Sequence, residues 1–348
     1  MKTIIEDMTE IISKQGMERA GQILKNGGLV AFPTETVYGL GANALDETAS
    51  AKIYAAKGRP SDNPLIVHIA RMEDLYTIAK TVPEKAKLLA EKFWPGPLTM
   101  IFQKEPIVPY GTTGGLDTVA VRMPNHQVAL ELIRSGGGFI AAPSANTSGR
   151  PSPTKASHVE EDMGGRIDMI IDGGEVGIGV ESTIVDLSGD TPVILRPGYI
   201  NQAMLEEVVG KVDVDPTLLR ADCKERPKAP GMRYKHYAPR ADMTIVEGTQ
   251  EKVIAGINDR IRCALEKGEV PGVIASDETA DRYPVGVVKS IGSRKDELSI
   301  SRHLYSVLRE FDELNVSVIY SEAFDTPNLG QAIMNRLIKA AGHQIIKV

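Results

Sequence analysis

Apolar residues in this chain fall into two spacings that take turns. Met17, Ala20, Ile23 and Leu24 recur at helical intervals and stop at Gly27-Gly28, as an amphipathic helix does at its C-terminus. Short apolar runs stand at residues 29–33, 66–69, 98–102, 119–122, 139–142, 169–172, 182–187 and 193–196. Runs of this kind between turn residues predict strands, and many of them end in polar side chains. Residues 34–42, Thr-Glu-Thr-Val-Tyr-Gly-Leu-Gly-Ala, put hydroxyls and a carboxylate at the end of the first strand, where ligand-binding loops of α/β proteins lie. Alternation of this type predicts one α/β domain with a mixed, twisted sheet over residues 1–210.

The pattern breaks at residues 211–240. Charged and turn-forming residues lead into Arg226-Pro-Lys-Ala-Pro-Gly-Met-Arg-Tyr-Lys-His-Tyr-Ala-Pro239. Flexible spacers are rich in Gly and Ser, whereas this linker carries Arg233, Tyr234, Lys235, His236 and Tyr237, side chains suited to binding something. Beyond it, runs at 243–246, 273–275, 285–288 and 316–320 read as strands separated by helices. Leu304, Val307, Leu308, Phe311 and Leu314 are spaced for one buried stripe of a helix over 301–314, with Arg302 and Glu310 facing elsewhere. Residues 330–341 read as a final amphipathic helix. Residues 241–348 are therefore expected to form a second, smaller α/β domain of ordinary size.

A chain of 348 residues exceeds a comfortable single core, which agrees with two domains. Its 42% hydrophobic and 25% charged residues are those of a soluble globular protein. No apolar run approaches the roughly 20 residues that a membrane-crossing helix needs. The first residues mix acids into apolar positions and lack a small-residue cleavage site, unlike a secretory signal. Cys223 and Cys263 give neither a disulfide framework nor a zinc cluster, so a cytoplasmic protein is expected. A net charge of −6 repels nucleic acid as a whole, and RNA contact would need a local basic patch.

Candidate chemistry gathers in two stiff loops. In Lys57-Gly-Arg-Pro-Ser-Asp-Asn-Pro-Leu-Ile-Val-His68 the prolines at 60 and 64 forbid a continuous helix, so Arg59, Ser61 and Asn63 project from an extended segment. Lys57 and Arg59 are expected at the surface of a cleft, facing an anion. His68 closes the following strand, where a neutral imidazole can simply pack and hydrogen-bond, or can meet a ligand. The second loop, Pro143-Ser-Ala-Asn-Thr-Ser-Gly-Arg-Pro-Ser-Pro-Thr154, has the same character. Arg122 and Arg196 each end an apolar strand, and an arginine buried there must find an anionic partner, either a protein carboxylate or a ligand. There is no Gly-x-x-x-x-Gly-Lys-Ser/Thr, no Gly-x-Ser-x-Gly elbow and no Cys-x-x-Cys. Pockets of this composition catalyse by positioning and charge stabilisation.

Thr34-Glu-Thr-Val-Tyr-Gly-Leu, the Lys57-Gly-Arg59 loop with Pro-Leu-Ile-Val-His68, Pro-Ser-Ala-Asn146, Ser182-Thr-Ile-Val-Asp186 and Leu195-Arg-Pro-Gly198 resemble, in this order, the YrdC-like domain of threonylcarbamoyl-AMP synthases. The linker motif ending at Pro239 and the α/β tail resemble the long, two-domain form. The resemblance implies a YrdC-like twisted mixed sheet with helices, followed by a smaller Rossmann-like α/β domain. It implies a nucleotidyltransferase that turns L-threonine, bicarbonate or CO2, and ATP into L-threonylcarbamoyladenylate and pyrophosphate. The product would supply the threonylcarbamoyl group for the adenosine next to the anticodon of tRNAs reading ANN codons, through a downstream transfer machinery.

Carried over residue by residue, Thr36, His68, Arg122, Ser144 and Ser182 would contact threonine. Arg59, Asn63, Thr118, Asn146, Ser152 and Arg196 would contact the nucleotide, with Lys57 and Arg59 catalytic. Arg233, Tyr234, His236 and Tyr237 would form a lid that keeps water from a labile carbamate. Magnesium would arrive with the triphosphate, without a dedicated protein cage and without an organic cofactor. Two other readings of the same residues are an RNA-binding module without chemistry and a nucleotide-sensing regulator.

Overall fold

A computed structural model describes residues 2–219 and 236–348. The chain divides into two compact units. The second comprises residues 236–348 together with the short segments 149–151 and 178–180, and the first holds the remaining described residues.

The first unit is built on one mixed sheet. Its strands are β1 (Ile4–Asp7), β2 (Val30–Phe32), β3 (Gly39–Asn43), β4 (Ile66–His68), β5 (Leu98–Gln103), β6 (Thr118–Arg122), β7 (Ile140–Ala141), β8 (Met169–Asp172), β9 (Thr183–Asp186), β10 (Val193–Arg196) and β11 (Asp213–Val214). They lie in the order β1-β8-β2-β3-β7-β4-β6-β5-β9-β10-β11. Along β2, Ala31 packs into one apolar cluster while Val30 and Phe32 pack into another. Side chains alternate across a strand, so the sheet buries both faces, which is why its strands read as unbroken apolar runs.

The structure departs from the sequence reading at β3. Residues 34–42 were expected as a loop, yet Gly39–Asn43 turns back as a strand antiparallel to β2. Glycine hides the strand signal but makes the pairing possible: a Cβ on Gly41 would come within 2.9 Å of Ile140 and 3.0 Å of Phe32. β1 also escaped the periodicity; its strand is short and mostly exposed, but it pairs with β8 through Ile4 beside Met169.

In the second unit β12 (Asp242–Glu247), β13 (Pro271–Ala275), β14 (Val287–Ser290), β15 (Val318–Glu322) and β16 (Ile345–Lys347) form an all-parallel sheet in the order β14-β13-β15-β12-β16. The helix expected over 301–314 spans Glu297–Glu313, capped by Asp296. Leu304, Val307, Leu308 and Phe311 are buried as the stripe requires, but Leu314 lies beyond the last turn and is 47% exposed. Among the described residues no helix is long and apolar enough to cross a membrane.

Candidate active site

The basic loop begins where a helix is made to stop. The helix Glu47–Lys57 starts on Asp46, whose carboxylate accepts from the backbone N–H groups of Thr48 and Ala49, and ends at Gly58 in the left-handed region at φ 62°. Lys57, in the last turn, therefore points inward. It is 1% exposed and donates from Nζ to the carbonyl oxygens of Ser144 and Asn146, at 2.5 Å each. Arg59 is 9% exposed and folds back on its own loop, donating from Nη2 to the Pro64 carbonyl at 3.2 Å. The expectation that both cations lie at a cleft surface is not met, because buried backbone carbonyls draw them inward. Asn63 is buried too, and its Oδ1 has no hydrogen-bond partner among the described residues, so it keeps acceptor capacity.

The second polar loop is tied to the first. Ser144 Oγ donates to Asn146 Oδ1 at 2.5 Å, and Asn146 Nδ2 donates to the Thr147 carbonyl at 2.9 Å. Ser144 also bridges to Gly39 beyond the end of β7.

Sheet register does the rest. His68 stands beside Arg122, Arg122 beside Thr99, Thr99 beside Ile184 and Ile184 beside Arg196, one row across five adjacent strands. Arg122 donates from Nη1 to Thr36 Oγ1 at 2.9 Å and from Nε to the Gly96 carbonyl at 3.3 Å. Its Nη2 lies 2.7 Å from Glu35 Oε2, in a charge contact that is off the hydrogen-bond line, since neither atom has a hydrogen-bond partner among the described residues. Arg196 donates from Nε to the Ser182 carbonyl at 3.0 Å and from Nη2 to Ser182 Oγ at 3.1 Å; Ser182 Oγ also lies 2.8 Å from Thr99 Oγ1.

The row thus gathers Thr36, His68, Arg122, Ser182 and Arg196. Thr118 sits at the other end of β6, about 13 Å along an extended chain from Arg122. Because β4 runs parallel to β6 with Ile66 beside Ala120, the Arg59–Asn63 loop enters at the Thr118 end. Ser152 is fully buried and donates to Glu181 Oε1 at 2.6 Å. Of the lid residues, Arg233 and Tyr234 lie outside the described residues. His236 and Tyr237 belong to the second unit, where Tyr237, at φ 64°, stacks on Tyr305 with ring centroids 5.3 Å apart. Among the described residues, no group of three or more His, Cys, Asp or Glu is placed to hold a metal ion.

Sequence reasoning did not single out Glu35, Thr99, His126 or Glu181. Glu35 was visible between the two threonines of Thr34-Glu-Thr36, but only the fold sets it against Arg122. His126 is partly buried, and burial holds its imidazole below the ordinary value while the charge of Glu35 opposes that shift.

Burial pushes the His68 imidazole down to about 3 from 6.5, and the charge of Arg122 acts in the same direction. Above 6.5 the ring is neutral in both the folded and the unfolded chain; below that the unfolded chain binds a proton that the folded chain refuses until about 3. The stability that depends on the neutral ring is therefore intact above pH 6.5 and is lost as the pH falls toward 3, at up to ~1.4 kcal/mol per pH unit. Urea midpoints measured at about pH 7.5, 6 and 4.5 should fall more steeply for the parent than for His68→Gln. Parallel slopes would mean that His68 accepts protons in the folded state.

Arginines buried at the ends of two strands, with a buried lysine at a helix end and Asn63 in the loop after it, mark the candidate site of an α/β enzyme domain on a mixed sheet, joined to a small parallel α/β unit. A family model described as "Telomere recombination" matches residues 22–198, and one described as "Threonylcarbamoyl-AMP synthase, C-terminal domain" matches residues 200–342. The chain is 50% identical over 346 residues to a threonylcarbamoyl-AMP synthase of Pyrococcus abyssi, covering 99% of this chain and 100% of that one. It is 49% identical over 344 residues to a synthase of Bacillus subtilis, covering 98% of each. A crystal structure of Pyrococcus abyssi Sua5 complexed with L-threonine superposes with a TM-score of 0.95 at 49% identity, covering 99% of this chain and 100% of that one. The chain belongs to the threonylcarbamoyl-AMP synthase family, in its two-domain form.

Proposed function

We propose that this chain makes L-threonylcarbamoyladenylate and pyrophosphate from L-threonine, bicarbonate or CO2, and MgATP. The single observation that carries this reading is the row His68–Arg122–Thr99–Ile184–Arg196, which sets two buried arginines on one sheet with hydroxyls between them. Carbamate formation and adenylylation bring a carboxylate, a carbamate and a triphosphate together, and their mutual repulsion must be offset by fixed cations. In this reading Thr36, His68, Arg122, Ser144 and Ser182 hold threonine. Arg59, Asn63, Thr118, Asn146, Ser152 and Arg196 hold the nucleotide. The Arg196–Ser182 and Ser144–Asn146 hydrogen bonds tie the two sets together, so the carbamate oxygen and the α-phosphorus are presented to each other.

Lys57 acts by fixing the carbonyls of Ser144 and Asn146, and so the loop that both substrates share. Magnesium enters with the triphosphate as part of the substrate. The adenylate is consumed by the machinery that transfers threonylcarbamoyl to tRNA. Pyrophosphate release should require threonine and bicarbonate together, with the adenylate detected by mass spectrometry. Equal ATP cleavage without threonine would identify an ordinary ATPase and end this reading.

We assign Arg233, Tyr234, His236 and Tyr237 to a lid that keeps water from the carbamate. Changing Arg233, His236 and Tyr237 together to alanine should uncouple the reaction, so that ATP is consumed in excess of adenylate recovered. A variant that keeps the parent's rate and coupling would reduce these residues to a tether.

A further inference from the structure

We propose that Glu35 is a catalytic residue of the threonine site: it receives the substrate's ammonium group and takes the proton released when the amine becomes a carbamate. This rests on the threonine and bicarbonate chemistry proposed above. Both carboxylate oxygens of Glu35 are shielded from solvent and have no hydrogen-bond partner among the described residues. Buried carboxylates are ordinarily saturated with donors; here Oε2 has only the charge contact with Arg122 and Oε1 has no recorded partner, so the carboxylate keeps acceptor capacity for a ligand that brings its own N–H groups.

The partner arrangement says which ligand group that is. Arg122 is anchored through Nη1 to Thr36 and through Nε to Gly96, while Nη2 faces Glu35 at 2.7 Å and retains its hydrogen-bonding capacity. An α-amino acid carries its carboxylate and ammonium on the same carbon, so an adjacent guanidinium and carboxylate match it end to end. With the threonine carboxylate on Arg122, the ammonium falls to Glu35. His126, whose Nδ1 is buried without a hydrogen-bond partner among the described residues, is near enough for the charge of Glu35 to act on it, so an imidazole as well as the Arg122 guanidinium faces this carboxylate electrostatically.

The step balances. The ammonium R–NH3+ gives one proton to Glu35; the freed nitrogen lone pair forms the N–C bond to bicarbonate carbon, and hydroxide leaves, taking a second proton from nitrogen as water. The sum is R–NH3+, HCO3− and the Glu35 carboxylate going to R–NH–COO−, H2O and the Glu35 carboxylic acid. The carbamate oxygen then attacks the α-phosphorus of ATP, and pyrophosphate departs.

Glu35→Gln keeps the shape and removes the base, so kcat for threonine-dependent pyrophosphate release should fall on the order of 100-fold or more while ATP affinity by calorimetry stays at the parent value. Glu35→Ala should be equally slow but should regain rate with added formate, in proportion to its concentration. A counter-ion role alone would show otherwise: Glu35→Gln would keep kcat with a raised threonine KM, or formate would leave the Glu35→Ala rate unchanged, and either result overturns the proposal. A folded parent enzyme that releases no pyrophosphate with threonine and bicarbonate overturns the functional reading itself, whatever the variants do.

Discussion

Lys57→Ala is expected to cost both stability and activity. The ammonium is enclosed, and its two acceptors, the carbonyls of Ser144 and Asn146, come from a loop far away in sequence. Truncation leaves those carbonyls buried without a charged donor, a loss of ~1–3 kcal/mol for each. Because Ser144 and Asn146 are themselves assigned to threonine and nucleotide, the loosened loop should also lower turnover on the order of 100-fold or more. Lys57→Met keeps most of the side-chain volume and removes the charge with its N–H donors, which separates packing from hydrogen bonding. Urea unfolding and pyrophosphate release measured on both variants decide the matter. Near-parental values in both assays would make Lys57 a spectator.

Arg122→Leu should be at least as damaging, for a different reason. Arg122 and Glu35 are a buried ion pair with side-chain exposures of 5% and 13%, and removing the cation strands the carboxylate. Breaking such a pair from one side costs ~3–5 kcal/mol, whereas replacing both partners by apolar residues is often close to neutral. The double variant Arg122→Leu/Glu35→Leu should therefore recover a large part of the lost stability without recovering activity, because the guanidinium assigned above to the threonine carboxylate is gone. A double-mutant cycle of urea unfolding measures that recovery. If the single Arg122→Leu variant unfolds at the parent's midpoint, or if the double variant is less stable than the single one, the pair is not coupled as the geometry indicates.

The two arginines show how far strand-end reasoning reaches. An apolar run ending in Arg implies a buried guanidinium that needs oxygen partners, and both Arg122 and Arg196 are buried with such partners. The choice between carboxylate and ligand could not be read from the runs. Arg122 meets Glu35, while Arg196 donates to Ser182; each partner is far along the chain or on a neighbouring strand. The basic loop shows the opposite failure. Its prolines correctly announced a stiff loop, but its cations read as surface charges: the carbonyls that hold Lys57 belong to a different loop, and those that hold Arg59 are reached by a fold-back of its own loop that spacing does not show.

By itself the sequence determined what depends on near neighbours. The strand runs, the helix stop at Gly27-Gly28, the break in helix imposed by Pro60 and Pro64, and the stripe of the Glu297–Glu313 helix follow from spacing and local chain chemistry within a few residues. Together with five ordered motifs it also determined the family. Only the tertiary structure decided which strands are neighbours and in what register, and hence that His68, Arg122 and Arg196 share a row. A period of two tells which face a side chain takes, and it is silent about the strand beside it. The same holds for Lys57, Glu35 and β3: a buried charge, a carboxylate set against an arginine and a glycine strand are defined by groups brought close in space, and no local pattern encodes that closeness.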